Sequence, residues 1–416
     1  MSHTVEILCV GTELLLGNIV NSNAQALSRE LSGLGLNVLY HSVVGDNPGR
    51  LKAAVDQARK RADVIVTTGG LGPTCDDLTK QTLAECFGKK LVFHPECAQA
   101  IEAYFKRMGR EMTENNLSQA YLPEDCSILD NAWGTAPGCA FQSGGAYVVM
   151  LPGPPRECLP MFKERAAPWL ARLSEGVIRS RTLRVFGSTE SGVEAIFRDR
   201  MNQLTNPTLA PYAKEGEVEL RITAKADTAQ AADALIAPVE AEVRSVLGDL
   251  VYGADVSGLE QVVLELARAR GLTLGTAESC TGGLIAKRLT DIPGSACVFK
   301  GGVVSYHCEV KAGVLGVDQA LLDEKGAVCA EVAEEMALGA KKALGCDLAV
   351  AVTGVAGPDP DERGNPVGLV YTALAAPDGT WVKKLDLAAP GARRDRIRTL
   401  AANHALDMAR RWLEKG

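Results

Sequence analysis

The chain has 416 residues, 46% hydrophobic and 23% charged, with a formal net charge of -7 and a pI near 5.5. Such a length exceeds one ordinary hydrophobic core, so two or three domains are expected in a soluble globular protein. The acidic balance argues against direct nucleic-acid binding and against docking on an anionic membrane, both of which need a basic face. No apolar run is long enough to span a bilayer and no charged-then-apolar leader opens the sequence, so a cytoplasmic protein is expected. The twelve cysteines form no C-x-x-C pair and match no zinc module. Most sit in apolar strands or helices, as Cys9, Cys86 and Cys297 do, and read as reduced small hydrophobes.

Residues 4 to about 170 alternate strand and helix patterns. Val5 to Val10, Val38 to Val44 and Asp63 to Thr68 read as strands, with helices from near Asn23 to Leu34 and from Leu51 to Arg61 between them. This βαβαβ order predicts a mostly parallel sheet covered on both faces by helices, with ligands outside the carboxyl ends of its strands. Two strand ends are suggestive. Gly11-Thr12-Glu13 follows the first, and Thr67-Thr68-Gly69-Gly70-Leu71-Gly72-Pro73-Thr74-Cys75-Asp76-Asp77 spans the third. Gly69, Gly70 and Gly72 would let the backbone wrap closely around a phosphate-like group. Asp76 and Asp77 are expected to open a helix running to Cys86, where acidic residues suit the dipole. Two carboxylates beside an anion cradle also imply a divalent cation between them, since hard cations take carboxylate oxygens. Lys80, one turn on, would reach the same phosphates. Neither the Walker pattern nor G-x-G-x-x-G is present. Trp133 to Gly138 is a tight loop, Ala146 to Leu151 a further strand, and Arg156 to about Leu173 a helix.

The Ser174-Glu175-Gly176 break marks a boundary. Strands at Thr182 to Phe186, Thr208 to Ala213 and Glu217 to Ala224, with helices at Gly192 to Leu204 and Ala229 to Leu247, form a small α+β unit. It is compatible with a KH-like fold but has no G-x-x-G loop to clamp a nucleotide backbone, so a spacer or dimerisation role is expected. Gly253 to Gly258 reads as a linker, with Ser257 capping the next helix.

The last third begins with a helix from Leu259 to Arg270 and a buried strand at Leu272 to Thr276. Ala277-Glu278-Ser279-Cys280-Thr281-Gly282-Gly283 then forms a strand-to-helix turn before the helical Leu284 to Leu289. The turn would expose a side chain above the sheet edge and aim unpaired helix N–H groups at a phosphate or an oxyanion. A plain capped helix start reads equally from these residue types. A strand at Val298 to Tyr306 precedes Lys311, placed in the first turns of the next helix. There the dipole would lower the ammonium pKa, as a general base needs, although a surface lysine fits the residue alone as well. Ala330 to Leu344 is helical. Leu348 to Val352 is a buried strand ending in the second Gly-rich loop, Thr353-Gly354-Val355-Ala356-Gly357-Pro358. Leu369 to Ala375 and Trp381 to Leu387 form a hairpin, and a helix from Arg394 to Leu413 starts within the cluster Arg393, Arg394, Arg396 and Arg398. Ser279 with Tyr306 and Lys311 would suit amide hydrolysis, in which a base passes the seryl proton to leaving ammonia. Cys280 is the rival nucleophile, because a helix N-terminus lowers a thiol pKa.

Four motifs carry a resemblance over the whole length: G-T-E-L-L-L-G from Gly11, T-T-G-G-L-G-P-T-x-D-D from Thr67, A-E-S-C-T-G-G from Ala277 and T-G-x-A-G-P from Thr353. The chain closely resembles the bacterial CinA family, the competence/damage-inducible proteins. The resemblance implies an α/β chain in three parts. Residues 1–174 would be a molybdopterin-binding-like domain acting as a metal-dependent ADP-ribose pyrophosphatase. Residues 175–252 would be a KH-like connector. Residues 258–416 would be a nicotinamide mononucleotide amidase yielding nicotinate mononucleotide and ammonia. It makes Ser279 the nucleophile, assisted by Tyr306 and Lys311, with Thr281, Gly282, Gly283, Thr353, Gly354 and Gly357 shaping the pocket and Arg393 or Arg398 contacting phosphate. In the first domain it implies Mg²⁺, Mn²⁺ or Co²⁺ on Asp76 and Asp77, with Glu13 positioning water or metal. The diphosphate would lie on Gly69 to Thr74 and Lys80. No cofactor is expected for the amidase, and a homodimer is expected. Cys329 stands where the family usually has serine. Two rivals remain: a first domain that only binds a pterin-like ligand, and a competence or DNA-damage adaptor without catalysis.

Overall fold

The computed structural model describes residues 3–173, 176–389 and 393–415. Its packing divides the chain into two compact units, residues 1–180 with 224–235, and residues 181–223 with 236–416. The expected segment 175–252 contributes to both. Of the boundary read at residues 174–176, Ser174 and Glu175 lie outside the described residues.

In the first unit, β1 (Thr4–Val10) leads through the single turn α1 (Thr12–Leu15) and α2 (Ser22–Gly33) to β2 (Asn37–Val44). Helix α3 (Pro48–Ala58) precedes β3 (Val64–Thr68), and α4 (Thr79–Cys86) follows it. A short pair, β4 (Leu91–Phe93) and β5 (Tyr121–Pro123), encloses α5 (Pro95–Arg107) and a 3₁₀ stretch at Glu114–Ala120. Strands β6 (Ser127–Leu129), β7 (Gly138–Ser143) and β8 (Ala146–Leu151) complete the sheet, ordered β2-β1-β3-β8-β7-β6. Four of these strands are parallel, while β7 pairs antiparallel with β8 and β6. The expected final helix is α6 (Pro155–Met161), a π-turn at Phe162–Ala166 and α7 (Ala167–Ala171) in succession. Apolar side chains alternate between the sheet faces. Leu8, Ile65 and Val148 enter one core, and Ile7, Val66 and Val149 the other, as period-two strands buried on both faces require.

The connector has β9 (Val177–Val185), α8 (Glu190–Gln203), β10 (Thr208–Lys214), β11 (Glu217–Ala226), α9 (Ala229–Leu247) and β12 (Val251–Ala254). Its sheet order is β10-β11-β9-β12. The expected linker therefore begins as a strand, with Gly253 paired to Arg184. Ser257 is not the cap of α10 (Leu259–Ala269). Gly258 holds that position, and Ser257 instead bonds the Gln261 side chain from its amide at 2.8 Å and its hydroxyl at 2.9 Å.

The C-terminal part continues with β13 (Leu274–Glu278), α11 (Leu284–Thr290), β14 (Phe299–Val304), α12 (Cys308–Leu315), α13 (Gln319–Lys325) and α14 (Ala330–Leu344). It closes with β15 (Leu348–Gly354), β16 (Leu369–Ala376), β17 (Gly379–Asp386) and α15 (Arg394–Lys415). The sheet runs β14-β13-β15-β16-β17, with the first three parallel and the hairpin antiparallel. Helices α10 and α15 cover one face, and α14 the other. Among the described residues no helix is long and apolar enough to cross a membrane.

Helix α14 seats α12, which carries Lys311, through one glycine. A Cβ at Gly339 would lie 1.9 Å from the Leu315 carbonyl oxygen. Gly→Ala in a helix ordinarily stabilises by about 1 kcal/mol. Here overpacking against backbone costs about 1–3 kcal/mol, so Gly339→Ala should lower the denaturant midpoint of unfolding rather than raise it.

Candidate active site

The turn after β13 is built from the strand's last carboxylate. Glu278 is fully buried, and its two oxygens accept the amides of Ile285 at 3.0 Å and Ala286 at 2.8 Å. These are the second and third residues of α11, so the helix N–H groups expected to face a ligand are capped from inside. Gly282 and Gly283 take φ of 59° and 90°, left-handed values that glycine adopts without strain. They fold the backbone tightly enough for Glu278 to reach the helix start. Ser279 is thereby held at the open end of the sheet, its amide bonded to the Val352 carbonyl at 2.9 Å.

Lys311 reaches the same point from α12. It is fully buried, with Nζ 3.0 Å from Ser279 Oγ, 2.7 Å from the Ser305 carbonyl and 3.4 Å from the Tyr306 carbonyl. Burial holds its pKa below the ordinary lysine value, opposed by the Cys308 and Cys280 thiols. Desolvation thus does the work expected of the helix dipole. Nζ donates to both carbonyls and to Ser279 Oγ.

Cys280 is placed differently. It packs in the apolar core, and burial pushes its thiol up to about 12. A thiol that stays protonated at neutral pH is a poor nucleophile, which corrects the expectation of a lowered pKa at this turn.

The remaining candidates arrange themselves around the pair. Tyr306 is 61% exposed, and its hydroxyl accepts a bond from Arg394 Nη2 at 2.8 Å. Arg394 also donates to the Gly357 carbonyl, tying the second Gly-rich loop to the tyrosine. Arg398 donates to the Thr281 carbonyl at 2.6 Å, whereas Arg393 pairs at the surface with Asp395. Arg394, rather than Arg393, is therefore the arginine joining the loops. The helical i, i+4 spacing of Arg394 and Arg398 is the signal that pairs them. Thr353 is fully buried and donates to the Ala327 carbonyl at 2.6 Å, while Gly354 lies so close to β16 that a Cβ would come 2.7 Å from the Leu369 carbonyl oxygen. Cys329 occupies the N-cap position of α14 without a side-chain cap bond. The Thr281 and Ser305 hydroxyls are buried without a partner.

The first unit has a cavity of about 500 Å³ at the ends of β1 and β3. Glu13, Gly69, Gly70, Gly72, Asp76 and Asp77 all line it. Gly69 and Gly70 have φ of 103° and 66°, and a Cβ on either would lie 2.1 Å from the Val10 carbonyl oxygen or 2.2 Å from Thr79 Oγ1. No other residue fits there. Asp76 and Asp77 precede α4 rather than opening it. Asp77 Oδ2 accepts the Thr74 amide at 2.9 Å and hydroxyl at 2.5 Å, clamping the loop. Lys80 does not enter the cavity. Its buried Nζ donates to the Ser118 and Gln119 carbonyls at 2.9 and 3.1 Å, and burial lowers its pKa to about 8. The sequence reading missed Asn23, Asp46 and Glu157, which also line the cavity. Asn23 Nδ2 bridges Thr68 Oγ1 and the Gly153 carbonyl at 2.9 and 2.7 Å. Asp46 follows β2 as a Gly-Asp strand end, the same signal that drew attention to Asp76. Among the described residues no three Asp, Glu, His or Cys side chains form a ready metal cage. The donor set fits a partly hydrated hard cation held by one or two carboxylates plus a ligand's phosphates.

Burial makes a chemical contrast measurable. Iodoacetamide at neutral pH should label the exposed Cys75 and Cys297 and leave Cys280 unmodified, read by peptide mass spectrometry of the native protein.

Three family models match successive parts of the chain: a probable molybdopterin binding domain at residues 6–172, the damage-inducible protein CinA KH domain at 180–253, and the CinA C-terminal domain at 256–413. A CinA-like protein of Kosmotoga olearia is 48% identical over 408 residues, 98% of each chain. A putative competence-damage inducible protein of Acetivibrio thermocellus is 48% identical over 410 residues, 99% of this chain and 98% of its own. The crystal structure of the protein CinA with unknown function from Thermoplasma acidophilum is 33% identical, covering 40% of this chain and 98% of that one with a TM-score of 0.37. With such identity along its full length, the chain belongs to the CinA family of competence/damage-inducible proteins.

Proposed function

We propose that the C-terminal part hydrolyses the carboxamide of nicotinamide mononucleotide. The observation that carries this reading is the 3.0 Å approach of the buried Lys311 Nζ to Ser279 Oγ. Neutral Lys311 takes the seryl proton as Ser279 Oγ bonds to the amide carbon. The C–N bond then breaks, and the proton leaves with the nitrogen as ammonia. Water, deprotonated by the same amine, cleaves the acyl-serine to nicotinate mononucleotide and restores Ser279. Arg394 and Arg398, on one helix face beside this turn, supply cationic charge for the substrate phosphate.

Ammonia release from nicotinamide mononucleotide by the purified protein tests the reading. Ser279→Ala should fall to background while Cys280→Ala retains activity. Lys311→Ala should lose about 10²–10⁴-fold, the range of a general base. Because the active amine is the deprotonated form, kcat/KM should rise with pH through an ionisation below the ordinary lysine value. An unchanged Ser279→Ala rate would sink the proposal.

For the first unit we propose metal-dependent cleavage of ADP-ribose. The bound cation would supply charge neutralisation at the diphosphate. Asp77, Asp76 and Glu13 would hold it, and the backbone at Gly69 to Gly72 would accept the phosphates. The shared cavity supports this reading. AMP release should require added Mg²⁺, Mn²⁺ or Co²⁺ and drop at least ~10²-fold in Asp77→Ala, as loss of a group acting on developing charge does. Binding of ADP-ribose without release of AMP would reduce the first unit to a binding domain.

A further inference from the structure

A second cavity lies in the C-terminal part, away from Ser279, and shares no lining residue with the clusters described above. It measures about 410 Å³, within the range of small-ligand sites. One wall is the outer face of α15, where His404, Met408, Trp412 and Lys415 recur at helical spacing. The opposite wall is the hairpin, whose Leu374 and Trp381 are a directly facing cross-strand pair. The two walls are pinned together. Trp412 Nε1 donates to Asp378 Oδ1 at 2.9 Å, and Arg270 lies 4.6 Å over the Trp412 ring while bonding the Leu413 carbonyl.

The charges are uneven. Arg270, Lys383, Arg411 and Lys415 line the cavity against Asp378 and Asp407. Asp407 is already shared between Arg410 and Arg411, at 2.5 and 2.7 Å. Neither Lys383 nor Lys415 has an ion-pair partner among the described residues. His404 is half-buried, and burial with the nearby Lys383 lowers its pKa to about 4. It is therefore a neutral imidazole at pH 7, offering one donor and one acceptor to a ring edge. Its own ring is packed edge-on against Phe186 at 5.0 Å. Two indoles, a thioether and a neutral imidazole suit a flat π-system, and unpaired ammonium groups at the same opening suit an anion.

We propose that this cavity binds a planar heteroaromatic anion of mononucleotide size, its ring against Trp381 and Trp412 and its anionic group on Lys383 and Lys415. The site is additional to the two proposed reactions and does not depend on either.

The test uses the full chain carrying Asp77→Ala and Ser279→Ala, so that the other two candidate sites are impaired. It is photolabelled with 8-azidoadenosine 5′-monophosphate and mapped by peptide mass spectrometry. The expected result is saturable labelling within residues 374–383 or 404–415. Excess AMP should suppress it, adenosine should do so at least tenfold less well, and Lys383→Ala/Lys415→Ala should reduce it at least tenfold. Both lysines are at the surface, so that variant should keep the parent's unfolding temperature. Labelling confined to other segments overturns the proposal. So does labelling unaffected by the two lysine substitutions, or competition by adenosine equal to that by AMP.

Discussion

A parallel strand with a parallel neighbour on each side has both edges of its backbone committed to hydrogen bonds and both faces committed to packing. Polar chemistry can then gather only where the strand ends. In this protein β1 lies between β2 and β3, and β13 lies between β14 and β15. In each case the chain leaves the central strand toward one neighbour and returns on the other side, which opens a crevice at the carboxyl ends. The Gly69 to Asp77 loop and the Ser279 turn both occupy such crevices. That single constraint explains why two unrelated sets of side chains stand at equivalent places in two sheets.

Burial then sets what those side chains can do. Glu278 and Lys311 are both fully buried, yet they are not paired with each other. Glu278 is satisfied by two helix amides, whose partial positive charge stabilises a carboxylate. Lys311 donates to two carbonyls and a hydroxyl and pairs with no carboxylate among the described residues, and burial lowers its pKa from the ordinary lysine value. The same desolvation raises the Cys280 thiol. One environment thereby lowers the lysine pKa and raises that of the thiol. The unpartnered hydroxyls of Thr281 and Ser305 cost about 1–3 kcal/mol each, a local deficit that a polar ligand would offset.

Local sequence and tertiary placement parted wherever a residue's role depended on reach. Asp76 and Asp77 read as a helix start because acidic residues favour that position. Asp77 instead closes a turn onto Thr74, and α4 begins at Thr79. Lys80 reads as a phosphate ligand from its spacing. In space its ammonium serves the end of a 3₁₀ stretch some forty residues on. Ser257 reads as a cap, but its backbone and hydroxyl both serve Gln261. Each misreading assumed that a polar side chain faces the nearest loop, whereas long side chains reach whichever unsatisfied carbonyl or amide the fold presents.

The sequence alone determined the period-two apolar strands, their alternation with helices and the Gly-rich strand ends, because these follow from local spacing, whereas Ser279 and Lys311 are singled out by the family resemblance. Only the tertiary structure decided that Lys311 touches Ser279 across 32 positions, that Glu278 caps α11, and that Arg394 joins Tyr306 to Gly357. It alone placed Trp381 and Trp412 on facing walls of one cavity. Such contacts depend on how elements distant in sequence pack, and packing is set by the whole core rather than by any one segment.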